Sequence, residues 1–243
     1  SPVNLADFID NMKEWRGALI VNIVLAVDVF FFLAGLVLAY NETSRAINNP
    51  NEYAKSWLWL PKFYFQRWIR LTPCYMLMIG FYATWFCYIG SGPIWNAYST
   101  ELREATREEW FYHAIYFGNF GYTSKAMPQA WYLTLLMQMY FVSPLFLYLM
   151  IVKGGDHPYT FLVFLGVLII NVFSPFMLTY VNDLPDLTNW FLVPETVDDF
   201  RRTEINNFFI CEGLYVRIGP YMMGMMLGYY LKHFKKNHPE MDI

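Results

Sequence analysis

The sequence predicts an all-α fold, a polytopic membrane bundle with about five transmembrane helices in its 243 residues. Composition is the first observation behind this. The chain is 56% hydrophobic and 21% aromatic but only 15% charged, outside the range of ordinary soluble domains. The second is that the apolar residues are gathered into five runs of a length suited to crossing a bilayer. The third is that Lys and Arg concentrate in alternate connections between those runs.

Residues 1–16 are polar and mixed in charge, as expected of a loop or the end of a preceding element. Residues 17–40 hold Asp28 as their only charge and form the first expected span. Residues 41–70 begin polar and turn basic and aromatic, leading into a second apolar run at 71–90. The polar stretch 91–130 carries an acidic run at 101–109, and within it the aromatic piece 110–120 is short enough to be placed at the membrane interface. A third span is expected at 131–152. The Lys-Gly-Gly-Asp-His-Pro sequence at 153–158 then signals a tight turn into a fourth span at 159–181. Residues 182–212 are polar and acidic. The fifth span, 214–231, ends in Lys232, Lys235 and Lys236.

Five crossings fix an alternation, and the charges choose its direction. Segments 41–70, 153–157 and 232–243 together carry nine Lys/Arg and five acids; segments 1–16, 91–130 and 182–212 carry seven Lys/Arg and fourteen acids. The first set is shorter and denser in basic residues, which places 41–70 and the C-terminus in the cytosol. The sequon Asn41-Glu42-Thr43 is then expected to stay unmodified.

Charges inside a bilayer cost a few kcal/mol each, so they face a protein interior or a cavity. Asp28 and Arg217 are the two such charges, read either as a structural pair or as a lining of a polar site. Gln138 shares a helical face with Trp131 and Thr134 and is expected to bond across helices. Asp28, Gln138 and Arg217 are therefore the candidate intramembrane polar site. Pro144 is expected to kink or fray the lower part of its span. On the last span Gly213, Arg217, Pro220, Gly224 and Gly228 fall on one stripe, and the Gly-x-x-x-Gly spacing permits close helix approach.

Net charge is −3, giving no overall basic surface for nucleic acid. The three cysteines include no Cys-x-x-Cys and no clustering with histidine, so no metal site is expected. Cys87 and Cys211 both fall near the expected outer face, where a disulfide is conceivable. His113, His157, His233 and His238 all read as loop or segment-end residues with no acid placed to orient them as a base. The most informative charges are Arg67 and Arg70, three apart in a basic and aromatic stretch at a membrane boundary. They suit either a positive anchor for a helix end or a site for an anionic ligand.

Several stretches, in order, resemble the acyltransferase-3 family, specifically its animal nose-resistant-to-fluoxetine branch. They are Val-Asp-Val-Phe-Phe-Phe-Leu-Ala-Gly at 27–35, Arg-Trp-Ile-Arg-Leu-Thr-Pro at 67–73 and Ser-Gly-Pro-Ile-Trp at 91–95. Trp131-Tyr132-Leu133 with Met137-Gln138 and Ser143-Pro144, and Tyr215-Val216-Arg217 with Gly219-Pro220-Tyr221, complete the set. The resemblance implies one membrane-embedded domain over 1–243, partial because an upstream helix is missing. It implies transfer of an acyl group from acyl-CoA in the cytosol to a hydroxyl-bearing acceptor, with no permanently bound cofactor. Arg67 and Arg70 match the family's Arg-x-x-Arg, which implies contact with the donor; the family's general-base histidine is expected upstream of Ser1. Ala34 stands where a Ser is usual, Leu136 where an Asp is usual, and cysteines common in the animal branch around Trp110 and before Trp131 are absent. These departures suit an alternative, a non-enzymatic lipid or small-molecule transporter on the same fold. The implied location is the plasma membrane or endoplasmic reticulum, with the lipid bilayer, the acyl donor and an acceptor of unknown identity as the expected partners.

Overall fold

A computed structural model describes residues 23–50, 59–119, 126–127, 129–155, 157–182 and 213–237. The described residues form helices and turns, with no strand among them. The helices are α1 (Ile23–Asn48), α2 (Trp59–Thr84), α3 (Pro93–Ala114), α4 (Ala130–Tyr148), α5 (Pro158–Asn182) and α6 (Leu214–Asn237). A 3-10 turn (Phe86–Tyr88) links α2 toward α3, and a π-helical turn (Leu149–Gly154) ends α4.

The all-α membrane expectation holds. Three stretches have the length and apolarity to cross a bilayer: Ala26–Asn48, Ala130–Gly154 and Pro158–Val181. The other two expected crossings are also helices, of 26 and 24 residues, but charges dilute their apolar character. In α2 these are Lys62, Arg67 and Arg70; in α6 they are Arg217 and the terminal lysines.

Element limits differ from the sequence reading in three places. Helix α1 runs eight residues beyond Tyr40, and the basic, aromatic stretch before residue 71 is the first half of α2, continuous with the apolar half. Residues 93–114, expected as polar connection, are a 22-residue helix. Its cause is local: Pro93 presets the first helical turn after Gly92 (φ 120°), and no Gly or Pro interrupts the Glu-, Arg- and Ala-rich run that follows. The tight turn at 153–158 is present, with Gly154 at φ 95° accepting a bond from the His157 amide. Pro144 lies inside α4, which continues four residues past it. The segment 1–16, the first residues of the first expected span, most of the acidic segment 182–212, Cys211 and His238 lie outside the described residues.

The chain divides into two units, one holding residues to Thr43, from Phe161 to Cys211 and from Tyr215, the other Ser44–Thr160 with residues 212–214. In the first, α1 and α6 run parallel in direct backbone contact. A Cβ added at Gly224 would fall on the Phe32 carbonyl, one at Gly228 on the Leu36 carbonyl, and one at Gly35 on the Tyr221 carbonyl. The Gly-x-x-x-Gly stripe is thus answered by a glycine on α1. One end of this pair carries Lys232 over the Tyr40 ring, 5.1 Å from its centroid. Helix α5 leaves nearly every side chain exposed, with Phe164 and Thr160 its described buried residues, as suits a helix facing lipid.

In the second unit α4 is central, with twelve of its 19 residues buried. Helix α2 lies antiparallel to it. The register is set by Tyr64, whose hydroxyl donates to the Phe141 carbonyl at 3.0 Å, and farther along by Gln129, whose Nε2 donates to the Tyr82 hydroxyl at 2.8 Å. Helix α3 folds back along α2, tied by Arg107 Nε donating to the Ala83 carbonyl at 2.9 Å.

Candidate functional site

The second unit holds two polar features that share α2 and α4. The first is the arginine pair. Helix α2 turns Arg67 toward α4, half-buried, and leaves Arg70 exposed. The Arg67 guanidinium carbon lies 5.4 Å from the centroid of Phe63, one turn back, and 5.5 Å from that of Tyr140 on α4. Both rings are buried. Contacts of this kind fix the plane of the guanidinium and leave its in-plane N–H groups as the donors. A guanidinium set against two rings beside an exposed one is an arrangement suited to a phosphate or carboxylate.

The second feature is a buried polar cluster one to two turns farther along α2. The Tyr75 hydroxyl and His113 Nδ1 are 2.9 Å apart, a hydrogen bond whose donor is set by the imidazole tautomer. Buried Thr134 on α4 faces the same hydroxyl. The Tyr116 ring stacks on Tyr75 at 5.4 Å, and its hydroxyl shares a 2.9 Å hydrogen bond with Thr72. Gln138 Nε2 donates to the Tyr116 carbonyl at 3.1 Å and to Asn119 Oδ1 at 2.7 Å.

The end of α3 explains how these groups meet. The Tyr116 amide donates to the His113 carbonyl and the Phe117 amide to the Tyr112 carbonyl, the Schellman pattern that closes a helix C-terminus. The residue that turns the chain there is usually Gly; here it is Tyr116 at φ 60°. Its left-handed conformation costs about 1–2 kcal/mol and persists because its ring, hydroxyl and carbonyl are each held by a neighbour. Gly118 lets the turn close: a Cβ there would stand 2.6 Å from His113 Nδ1.

His113 is 1% exposed, and burial lowers its pKa from the ordinary 6.5. Its Nε2 is 3.8 Å from Glu109, one turn back on α3, beyond hydrogen-bond length. The sequence reading of His113 as a segment-end residue holds, since it stands in the last turn of α3, but its burial was not foreseen. Helix α3 was hidden in a polar stretch, and the side chain points inward beside an acid. Burial also raises the Tyr116 phenol, partly offset by the bond from Thr72.

The other candidate residues have definite places. Arg217 Nη1 donates to both carboxylate oxygens of Asp28 at 2.9 Å, so these two are an ion pair between α1 and α6. Gln138 belongs to the second unit and bonds across to the α3 turn as described. The Cys87 thiol donates to the Ser99 carbonyl at 3.1 Å; its suggested partner Cys211 is outside the described residues. Sequence reasoning missed Thr72, Tyr75, His113, Tyr116 and Asn119. The available signal was Tyr75 two turns beyond Arg67 on an otherwise apolar run.

A known family matches the chain over nearly its whole length. The acyltransferase-3 family, described as an acyltransferase domain, matches residues 2–240. The chain is 35% identical over 151 residues to "Nose resistant to fluoxetine protein 6" of Caenorhabditis elegans, covering 59% of this chain and 18% of that protein. It is 34% identical over 140 residues to "Regulator of hypoxia-inducible factor 1" of the same organism, covering 55% of this chain and 25% of that protein. The chain thus spans a minor part of the length of both relatives. No solved structure matches it.

Proposed function

Because the chain belongs to the acyltransferase-3 family, we propose that it forms part of a multi-pass membrane acyltransferase that uses acyl-CoA from the cytosol. Arg67 and Arg70 bind phosphate oxygens of the donor. The acceptor hydroxyl attacks the thioester carbonyl, the C–S bond breaks, the coenzyme leaves as its thiol and the hydroxyl proton passes to a base. The family resemblance implies a histidine as that base. His113 is not given this role, since it is 1% exposed and its Nδ1 is taken up by the Tyr75 hydroxyl. The coenzyme is a substrate here, and no resident cofactor is invoked.

The observation that carries this reading is the seat of Arg67. Two buried rings on two helices hold its guanidinium at the cation-rich end of α2, with Arg70 exposed beside it. A plain helix anchor needs no such orientation. The parallel pairing of α1 with α6 and the antiparallel pairing of α2 with α4 support alternating crossings, and the charge counts are what assign their basic connections to the cytosol. A plasma-membrane or endoplasmic-reticulum location is consistent with this.

The test is acyl transfer by the intact protein with a panel of acyl-CoA donors. Wild type is expected to turn over, and Arg67→Ala with Arg70→Ala is expected to lose at least about 100-fold in kcat/KM, the sum of two charged hydrogen-bonding groups. Normal transfer by the double variant removes the role given to the pair. A second reading, a lipid or small-molecule transporter on the same fold, is favoured by Leu136, an apolar and buried residue where the family usually carries an acid. Ligand uptake without transfer by the intact protein would select it.

A further inference from the structure

The arginine pair is not the whole of the cationic surface on α2. Helix α2 carries Lys62, Gln66 and Arg70 at successive i, i+4 positions, one row on one face. Lys62 and Arg70 are exposed and Gln66 is half-buried. Onto the middle of this row the end of α1 brings a third cation: Arg45 Nη1 donates to Gln66 Oε1 at 3.2 Å. The row spans about 12 Å along the helix axis at 1.5 Å per residue. No acidic residue occurs anywhere in Trp59–Thr84. Arg67, a quarter-turn round the helix, adds its oriented guanidinium next to Arg70.

We infer that Arg45 and Lys62 are further donor-binding residues, which with Arg70 form a cationic row for an extended anion carrying several phosphate groups, the nucleotide end of a coenzyme A thioester. This rests on the donor reading above and extends it. One Arg-x-x-Arg pair spans a single turn and matches one phosphate or a pyrophosphate. A ligand with a pyrophosphate and a separate ribose phosphate needs charge spread over a longer distance, which this row supplies. Gln66 is a positioning residue: it touches Arg45 and sets where that guanidinium stands. The phosphates of anionic lipid headgroups present the same chemistry, so the test separates the two sources.

The intact protein in uncharged detergent is titrated with coenzyme A, with dephospho-coenzyme A and with phosphate-free pantetheine. Arg45→Ala is expected to weaken coenzyme A binding by about tenfold, the worth of one charge-assisted hydrogen bond, and Lys62→Ala by a smaller factor. Pantetheine binding is expected to stay unchanged in both, and the loss to shrink with dephospho-coenzyme A. Gln66→Leu is expected to weaken coenzyme A binding and to add nothing once Arg45 is Ala, as a double-mutant cycle reads. Wild-type coenzyme A affinity in both single variants, with loss in Arg67→Ala/Arg70→Ala, overturns the row and leaves the donor reading standing. Wild-type affinity in all of them overturns both. In a parallel arm, zwitterionic nanodiscs with and without phosphatidylserine are compared. Weakened phosphatidylserine association in Arg45→Ala with coenzyme A binding intact assigns the row to lipid and overturns the inference.

Discussion

His113 shows what a single buried side chain contributes in this fold. It accepts or donates one hydrogen bond with Tyr75 and fills the space that Gly118 leaves open. Burial lowers its pKa below 6.5, so the folded protein resists taking up a proton that the unfolded chain accepts. The contribution is complete above the unfolded value and declines as pH falls below 6.5 toward the lower folded value, because there the unfolded state binds more protons. The apparent melting temperature of the intact protein is therefore expected to fall on going from about pH 7.5 to about 5.5, and part of that fall to vanish in His113→Asn. An unchanged pH dependence in the variant would show that His113 titrates alike in both states. Loss of the imidazole also leaves the Tyr75 hydroxyl short of a partner, at a cost of about 1–3 kcal/mol at neutral pH. None of this was legible from sequence. The partners of Tyr75, Thr72 and Gln138 lie 38, 44 and 22 residues away, and no local pattern joins them.

Helices α1 and α6 show the opposite case, where local pattern carried far. Glycines four apart sufficed to expect a close crossing, while an acid and an arginine alone in apolar runs left a charge pair as one of two readings; pair and crossing occur between the same two helices. Removing one partner leaves a charge stranded: Arg217→Met or Asp28→Leu alone is expected to cost about 3–5 kcal/mol, and the double replacement to recover most of it. Urea or thermal unfolding of the three variants checks this, and equal loss in single and double variants would contradict the pairing. Backbone contact adds a second device. Gly224→Ala places a methyl group on the Phe32 carbonyl and is expected to destabilise, while Gly80→Ala on α2, with open space around it, is expected to stabilise by about 0.5–1 kcal/mol. Helix α3 was illegible for a physical reason. Its four glutamates and two arginines lower its apolar content to that of a loop, while its helix-favouring composition is a weaker signal than hydrophobic periodicity.

Within the second unit the basic residues Arg45, Lys62, Arg67 and Arg70 gather on the last turn of α1 and the first half of α2. All four belong to the stretch 41–70 that charge counting expects in the cytosol, so under the proposed function a soluble anionic donor is expected to reach them from that side. Asn41, Glu42 and Thr43 of the sequon lie within α1, with Glu42 and Thr43 buried. The most direct measurement is sided acyl transfer. The intact protein is reconstituted into proteoliposomes of known orientation, and a labelled, membrane-impermeant acyl-CoA is supplied to one face at a time. Transfer is expected only when donor is on the face bearing Arg67 and Arg70, and expected to be lost there in the Arg67→Ala/Arg70→Ala variant. Transfer from the opposite face, or undiminished transfer by that variant, would contradict the account.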